Sequence, residues 1–242
     1  MAPIAVAQQS DTRRSGYQDM SKSVQTMQDD DMANPAMLWV REGATLWAKR
    51  VGAADKACAD CHGGVESMAG VAARYPAFDT ALGRPVDLEQ RINLCRRDHQ
   101  QADALANESR ELLALTAHVA QQSRGKPIAP PTDPRLQPFA DAGAALFKQR
   151  QGQLNLSCAQ CHDDNDGRKL GSATIPQGHP TGYPIYRLEW QGLGSLKRRL
   201  RGCLSGMRAE PYAYDAPEYV QLELFLMQRA RGMTLESPGV RP

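Results

Sequence analysis

The sequence predicts an all-α protein made of two tandem copies of one helical unit, behind an N-terminal extension. Three observations predict it. The pentapeptide Cys58-Ala-Asp-Cys61-His62 returns 100 residues later as Cys158-Ala-Gln-Cys161-His162. The apolar and punctuating residues around it return as well. Between the copies, Pro127, Pro130, Pro131, Pro134 and Pro138 give residues 127–138 the composition of a stiff, extended linker.

The repeated C-x-x-C-H spacing suits covalent attachment of a c-type haem. Two thiols one helical turn apart reach the two vinyl groups of a porphyrin, and the adjacent imidazole becomes the proximal iron ligand. A redox C-x-x-C pair or half a zinc site fits less well. The His follows immediately both times, and no second C-x-x-C lies near either motif. With six Cys and five His in 242 residues, chance does not produce the motif twice. The expected cofactors are therefore two covalently bound c-type haems, one on Cys58, Cys61 and His62, the other on Cys158, Cys161 and His162.

A chain of 242 residues is long enough for two domains. Its 41% hydrophobic and 6% aromatic content is modest, and a haem in each unit would add a large apolar disc. A net charge of +2 says little by itself; no nucleic-acid partner is expected, and no apolar run approaches membrane-spanning length. Residues 1–9 lack a charged start and a long apolar stretch, but Ala5-Val6-Ala7-Gln8 resembles the tail of a signal-cleavage site. Because c-type cytochromes are assembled outside the cytoplasmic membrane, covalent haem predicts an exported, periplasmic protein.

The extension, residues 1–36, is expected to be mobile to about residue 16. A short helix over residues 21–28 then runs into the solvated acidic run Asp29-Asp30-Asp31. The first unit, residues 37–126, opens after Asn34-Pro35 with a helix whose apolar side is Met37, Leu38, Val40, Leu46 and Trp47. Gly43 and Ala44 within it leave room for a second helix to approach. Residues 84–95 read as a loop entering a helix. Residues 103–122 read as a longer amphipathic helix bearing Leu105, Leu112, Leu113, Leu115 and Val119, stopped by Gly125.

The second unit, residues 139–242, repeats this order. Gly43-Ala-Thr-Leu-Trp47 returns as Gly143-Ala-Ala-Leu-Phe147 at an offset of 100, while Tyr75-Pro76 returns as Tyr183-Pro184 at 108. A closing helix follows over residues 217–227, and Arg124-Gly125 is matched by Arg231-Gly232. Leading helix, haem motif, long loop, Cys-bearing helix and closing helix are the order of a cytochrome c fold. Two cytochrome c-like domains related by internal duplication are thus expected. The second carries a loop insertion with Gly167, Gly171, Pro176, Gly178, Pro180 and Gly182, of a kind that shapes an access path.

Two cysteines remain, Cys95 and Cys203, which lie 34 and 42 residues past the second cysteine of their motifs. They are the expected distal iron ligands, opposite His62 and His162. A thiolate there would push electron density onto iron and lower its potential. A Cys95–Cys203 disulfide would have to join equivalent positions of separate domains. Inert buried thiols are also compatible with the sequence, as are Met68, Met207, His99, His118 or His179 as ligands, although Met207 has no counterpart in the first unit. Cys203 follows the basic run Lys197-Arg198-Arg199-Leu200-Arg201. On a helix Arg199 is i−4 from Cys203 and shares its face, where a guanidinium could hold a sulfonate or thiosulfonate in two-pronged fashion. Arg91 precedes Cys95 in the same way but lacks the basic run and the insertion. Chemistry is therefore expected at the second haem, with Cys203 and Arg199 as catalytic residues. Electron storage, relay or a structural role is left to the first.

These motifs carry a family resemblance. The two C-x-x-C-H motifs, the two later cysteines, Met27-Gln-Asp-Asp-Asp31 and Asn34-Pro35 with Leu38-Trp39-Val40 resemble the dihaem A subunits of the SoxAX cytochromes of bacterial thiosulfate oxidation. The likeness runs from about Arg14 to the closing helix. It implies a small monohaem partner, SoxX, and a reaction in which thiosulfate is oxidatively joined to a cysteine of the carrier SoxYZ with release of two electrons. It also implies that the active-site haem is the second one, that Cys203 can carry a persulfide, and that Arg199 matches the family's active-site arginine. The competing expectation, from a different class, is a plain electron-transfer dihaem cytochrome with no substrate site.

Overall fold

A computed structural model describes residues 11–242. The helices are α1 (Lys22–Asp29), α2 (Met37–Ala48), α3 (Cys58–His62), α4 (Leu88–Cys95), α5 (Arg110–Gln121), α6 (Gln137–Lys148), α7 (Cys158–His162), α8 (Leu196–Gly206) and α9 (Pro217–Arg229). The strands are β1 (Ala77–Asp79), β2 (Arg84–Val86), β3 (Lys169–Leu170), β4 (Ala173–Thr174), β5 (Ile185–Arg187), β6 (Gly192–Gly194) and β7 (Gly239–Arg241). The described residues are thus helix-rich, with three small sheets that the all-α expectation left out. Strands of two or three residues are too short to carry a readable alternation.

Local chemistry sets the helix starts. Ser21, Asp87, Ser109, Ser157 and Ser195 each accept a backbone N–H from the first turn of the helix that follows. Pro217 opens α9 at a position where its missing N–H costs nothing. The long helix expected over residues 103–122 begins only at Arg110. Residues 103–108 instead form a loop, in which the Asn93 amide both donates to and accepts from the Leu105 backbone at 2.9 Å. The Ser109 cap fixes the real start.

Two helix crossings build the frame. Gly43 of α2 lies against the Ala114 carbonyl and the Cβ of His118 on α5, so that a side chain there would overlap both. Gly143 of α6 meets the Gln221 carbonyl and Phe225 of α9 in the same way. In each half the loop after the haem motif ends in an antiparallel hairpin, β1–β2 or β5–β6, which leads into the cysteine-bearing helix α4 or α8. β7 adds to β5 in parallel, bringing the C-terminal segment onto the second hairpin.

The halves share interior. Val24, Val40, Leu113 and Ala117 pack in one cluster with Tyr186, Leu193 and Val240. The proline-rich segment is held along its length. Ile128 is fully buried and exchanges backbone hydrogen bonds with Met233 and Gly232, while the Ala129 N–H donates to Ala73. Residues 11–16, expected to be mobile, are anchored instead. Arg13 Nη1 donates to the carbonyls of Arg229 and Arg231 at 2.8 and 2.9 Å, the Arg14 N–H donates to Gln177, and Ser15 bonds Glu236. The signal-like Ala5-Val6-Ala7-Gln8 lies outside the described residues.

A buried ion cluster crosses between the halves. Lys197 Nζ lies 2.6 Å from Asp87 Oδ2 and 3.5 Å from Glu89 Oε2, with Glu223 close by. Burial pushes the Glu89 carboxyl up to about 7 and Glu223 well above its ordinary range, with Lys197 opposing the rise in both. Glu89 binds its proton more tightly folded than unfolded. Its contribution to stability is therefore complete at low pH and is lost as pH rises from about 4.5 to about 7. Glu89→Gln should flatten unfolding free energy over that window, as read by denaturant titrations at stepped pH. A slope as steep as the wild type would mean Glu89 is charged throughout. At the helix crossing, Gly143→Ala should cost about 1–3 kcal/mol in the same assay, because the obstructing atoms are backbone.

Candidate haem site and its distal pocket

The second C-x-x-C-H occupies the single turn α7. Ser157 accepts the Gln160 N–H and the Gln160 side chain accepts the Ser157 N–H, so the turn is closed at both partners. Cys158 and Cys161 project from it one turn apart, and His162 stands at its end. His162 Nδ1 lies 2.7 Å from the Pro176 carbonyl. A carbonyl accepts only, so Nδ1 carries the proton and Nε2 keeps its lone pair. Gly178, at φ +75°, rests 3.3 Å from the imidazole measured to a would-be Cβ, at a backbone conformation and clearance that suit glycine. The insertion of the second half thus covers and orients the histidine.

His162 faces a cavity of about 430 Å³. Phe147, Leu222 and Leu226 give it apolar walls, with the Phe147 ring centroid 6.4 Å from that of His162. Cys158 lies in one wall, and Cys203 with Arg199, both on α8, lines another. Burial raises the Cys203 thiol, but His162, Arg199 and Arg187 outweigh it and hold the thiol below its ordinary range. Burial pulls His162 down, but Cys203 and the Pro176 carbonyl win and raise it. Cys158, with burial dominant, is pushed up to about 11. Two thiols one turn apart, an oriented imidazole and an opposing sulfur around an apolar cavity make a donor set that fits covalent haem.

The first half brings together Cys58, Cys61 and Cys95, and sets His62 under Trp47. The Trp47 ring centroid lies 5.7 Å from that of His62, and its Nε1 donates to the Gly63 carbonyl at 3.0 Å. Here no insertion covers the histidine, which is exposed. Cys95 is raised, burial outweighing Arg91, and Arg91 Nη2 is bound by Asp79 at 2.5 Å.

The other ligand candidates fall elsewhere. All six cysteines are free thiols, so Cys95 and Cys203 are not joined. Met207 caps α8 and packs with Leu204 and Tyr219 in the interior. Met68 ends a short 3₁₀ turn and His99 is exposed. His118 is buried in α5 edge-on to Trp47. His179 lines the second cavity with Nδ1 taken by the Arg14 carbonyl at 2.9 Å. Of the four cations in the basic run, only Arg199 lines the cavity. The helical period turns Lys197 inward to its carboxylates, Arg198 over Trp190 at 4.3 Å, and Arg201 over Tyr214 at 4.4 Å. Sequence reasoning missed Arg187, the 16–21 strip of the extension and Arg241, all of which line this cavity. Only Arg187 had a signal, since aligning the halves at 108 sets it against Asp79.

The fold and these motifs define a c-type cytochrome. The family described as SoxA/TsdA, cytochrome c domain, matches residues 42–128 and again 142–235. The chain is 35% identical over 240 residues to the L-cysteine S-thiosulfotransferase subunit SoxA of Rhodovulum sulfidophilum, covering 99% of this chain and 84% of that one. It is 35% identical over 229 residues to the SoxA of Pseudaminobacter salicylatoxidans, covering 94% and 80%. The crystal structure of SoxXA from P. pantotrophus superposes with a TM-score of 0.91 at 31% identity, covering 95% of this chain and 87% of that one. The chain belongs to the SoxA/TsdA cytochrome c family. That membership implies covalently attached c-type haem. Among the described residues, no helix is long and apolar enough to cross a membrane.

Proposed function

We propose that this chain is the catalytic dihaem subunit of a SoxAX-type L-cysteine S-thiosulfotransferase of the periplasm. It pairs with a monohaem SoxX cytochrome and joins thiosulfate to the cysteine of a SoxYZ carrier. The relatives' names supply the activity, and the placement of Arg199 carries the assignment to a site. It sits one turn from Cys203 in the cavity wall and, among the described residues, has no carboxylate at ion-pair distance.

Residues 37–126 and 139–242 are read as duplicated haem domains around the 127–138 segment, with residues 1–36 as extension. Three matches support duplication: hairpins 77–79/84–86 and 185–187/192–194 at an offset of 108, helices starting at Leu88 and Leu196 at the same offset, and bridges Val51–Lys56 and Gln151–Leu156 at 100. Haem one is assigned to Cys58, Cys61, His62 and Cys95, and haem two to Cys158, Cys161, His162 and Cys203. His62 and Cys95 would hold the iron of the first group, and His162 and Cys203 that of the second.

In the reaction a sulfur–sulfur bond forms between the carrier cysteine and the terminal sulfur of thiosulfate. The carrier thiol gives its proton to water, and two electrons leave. When bound, the second haem would supply one-electron acceptor chemistry for them. Arg199 holds the sulfonate end by paired N–H donors and fixes which sulfur faces the incoming thiol. His162, Arg199 and Arg187 hold the Cys203 thiol below its ordinary range, which favours the thiolate, the form that exchanges with sulfur donors or carries a persulfide. The insertion and the extension line one side of the cavity.

Arg199→Ala should lower kcat/KM for thiosulfate by about 10- to 100-fold with both haem spectra unchanged. Wild-type turnover in that variant would remove Arg199 from the mechanism. Peptide mass analysis should find a fraction of Cys203 carrying ~32 Da of extra sulfur. EPR that excludes thiolate–imidazole ligation would instead favour the plain electron carrier.

A further inference from the structure

The two halves differ by one exchange of charge beside the distal cysteine. Asp79 ends β1 opposite Arg84, and Arg187 ends β5 opposite Gly192, the same register position in matching hairpins. Arg91 and Arg199 are each the fourth residue of the helix that follows. In the first half Asp79 grips Arg91 Nη2 at 2.5 Å, so the charge of the guanidinium near Cys95 is countered by a carboxylate. In the second half Arg187 stands where the carboxylate would be. Arg187 and Arg199 therefore share one cavity with Cys203.

Arg187 is not fully satisfied by its own surroundings. Its side chain is only 16% exposed. Nη2 donates to Glu189 Oε2 at 2.8 Å, a carboxylate that is itself 62% exposed, and the guanidinium lies 5.3 Å from the Trp190 ring centroid. Its Nε is buried with no partner. Burial first, and Arg199 next, pull the Arg187 guanidinium below its ordinary range, the mark of a cation held near another without enough opposing charge. Two cations in a poorly solvated wall repel one another, and an anion between them turns that repulsion into attraction for both. Thiosulfate has three sulfonate oxygens, enough for a two-pronged contact to one guanidinium and a further bond to the other.

We propose that Arg187 is a second anion-binding residue of the distal pocket, gripping the sulfonate of thiosulfate together with Arg199. The aspartate-to-arginine exchange between Asp79 and Arg187 gives the second pocket its substrate and withholds one from the first. This rests on the reading that the pocket takes thiosulfate. The residue is specific to the anion rather than to the sulfur chemistry, so it acts mainly on binding.

The test is steady-state turnover with thiosulfate in the haem-loaded, partner-bound protein, with sulfate as competing anion. Haem content and ferric spectra are measured on each variant. Arg187→Gln should raise KM for thiosulfate about tenfold or more and weaken sulfate inhibition in parallel, with a smaller change in kcat and haem unchanged. Arg187→Asp should do more, because it would bind Arg199 as Asp79 binds Arg91, while Arg187→Lys should fall between wild type and glutamine. An unchanged KM in Arg187→Gln with intact haem overturns the proposal. So does loss of haem, or a shifted spectrum, with KM unchanged in the loaded fraction, since Arg187 would then anchor the cofactor. If Arg199→Ala raises KM and Arg187→Gln does not, this inference alone fails. If neither does, the thiosulfate reading of the pocket fails with it.

Discussion

The frame rests on two places where helix backbones touch. At Gly43 and Gly143 there is no room for a side chain between the leading helix of each half and its closing helix. That close crossing fixes where the far end of each leading helix falls. Trp47 and Phe147 sit four residues beyond the glycines, on the same helical face, and each lies beside the histidine of its own motif. The contact between a glycine and a carbonyl thus places an aromatic ring, and the ring places the imidazole. A bulkier residue at either crossing would spread the helices and move the histidine away from the cysteine opposite it.

On that common frame the two halves diverge electrically. The first leaves His62 exposed, has its Cys95 thiol pushed up by burial, and pairs Arg91 with Asp79. The second covers His162 with an inserted loop, holds Cys203 below its ordinary range, and replaces the aspartate by Arg187. The two hairpins and the helix starts after them match in register at an offset of 108, so these contrasts lie in side chains and in the segments added to the second half. At the matched register position the charge differs in sign, Asp79 in one hairpin and Arg187 in the other.

Much of this was legible in the sequence, because it is written in spacing. The motifs, the small residues at 43 and 143, the later cysteines and the i−4 arginine all follow from fixed offsets along a chain of known helical period. What was not legible depends on which way a helix faces and on partners far away in sequence. The basic run 197–201 reads as one cluster, yet its members point in different directions, and Lys197 serves a buried ion group with Asp87 and Glu89. Nothing local announces that residues 11–21 reach across to the second half, because their partners, among them Gln177, Arg229 and Glu236, lie over 150 positions away. Residues 103–109 carry a helical pattern that the Asn93 side chain overrides by taking the Leu105 backbone for itself. Arg187 was readable only by comparing the halves with each other rather than with a motif.

The position of β5 shows why such a comparison is informative. β1 has one neighbour, β2, whereas β5 lies between β6 and β7 and is hydrogen-bonded on both sides. β7 is itself tied down: the Val240 N–H and Arg241 Nη1 both donate to Gln28 on α1, and Arg241 Nη2 pairs with Glu236 at 2.5 Å. The N-terminal and C-terminal segments therefore converge on the strand that ends in Arg187, and on no equivalent strand in the first half. Conformational freedom is the main cost of holding a long cation at a fixed place. A strand clamped from both edges lowers that cost at the backbone, and Trp190 and Glu189 order the side chain beyond it. The same terminal segments also pack on the first half, where Val24 and Val240 join Val40, Leu113 and Ala117 in one cluster, so they tie the two halves together as well as bracing β5.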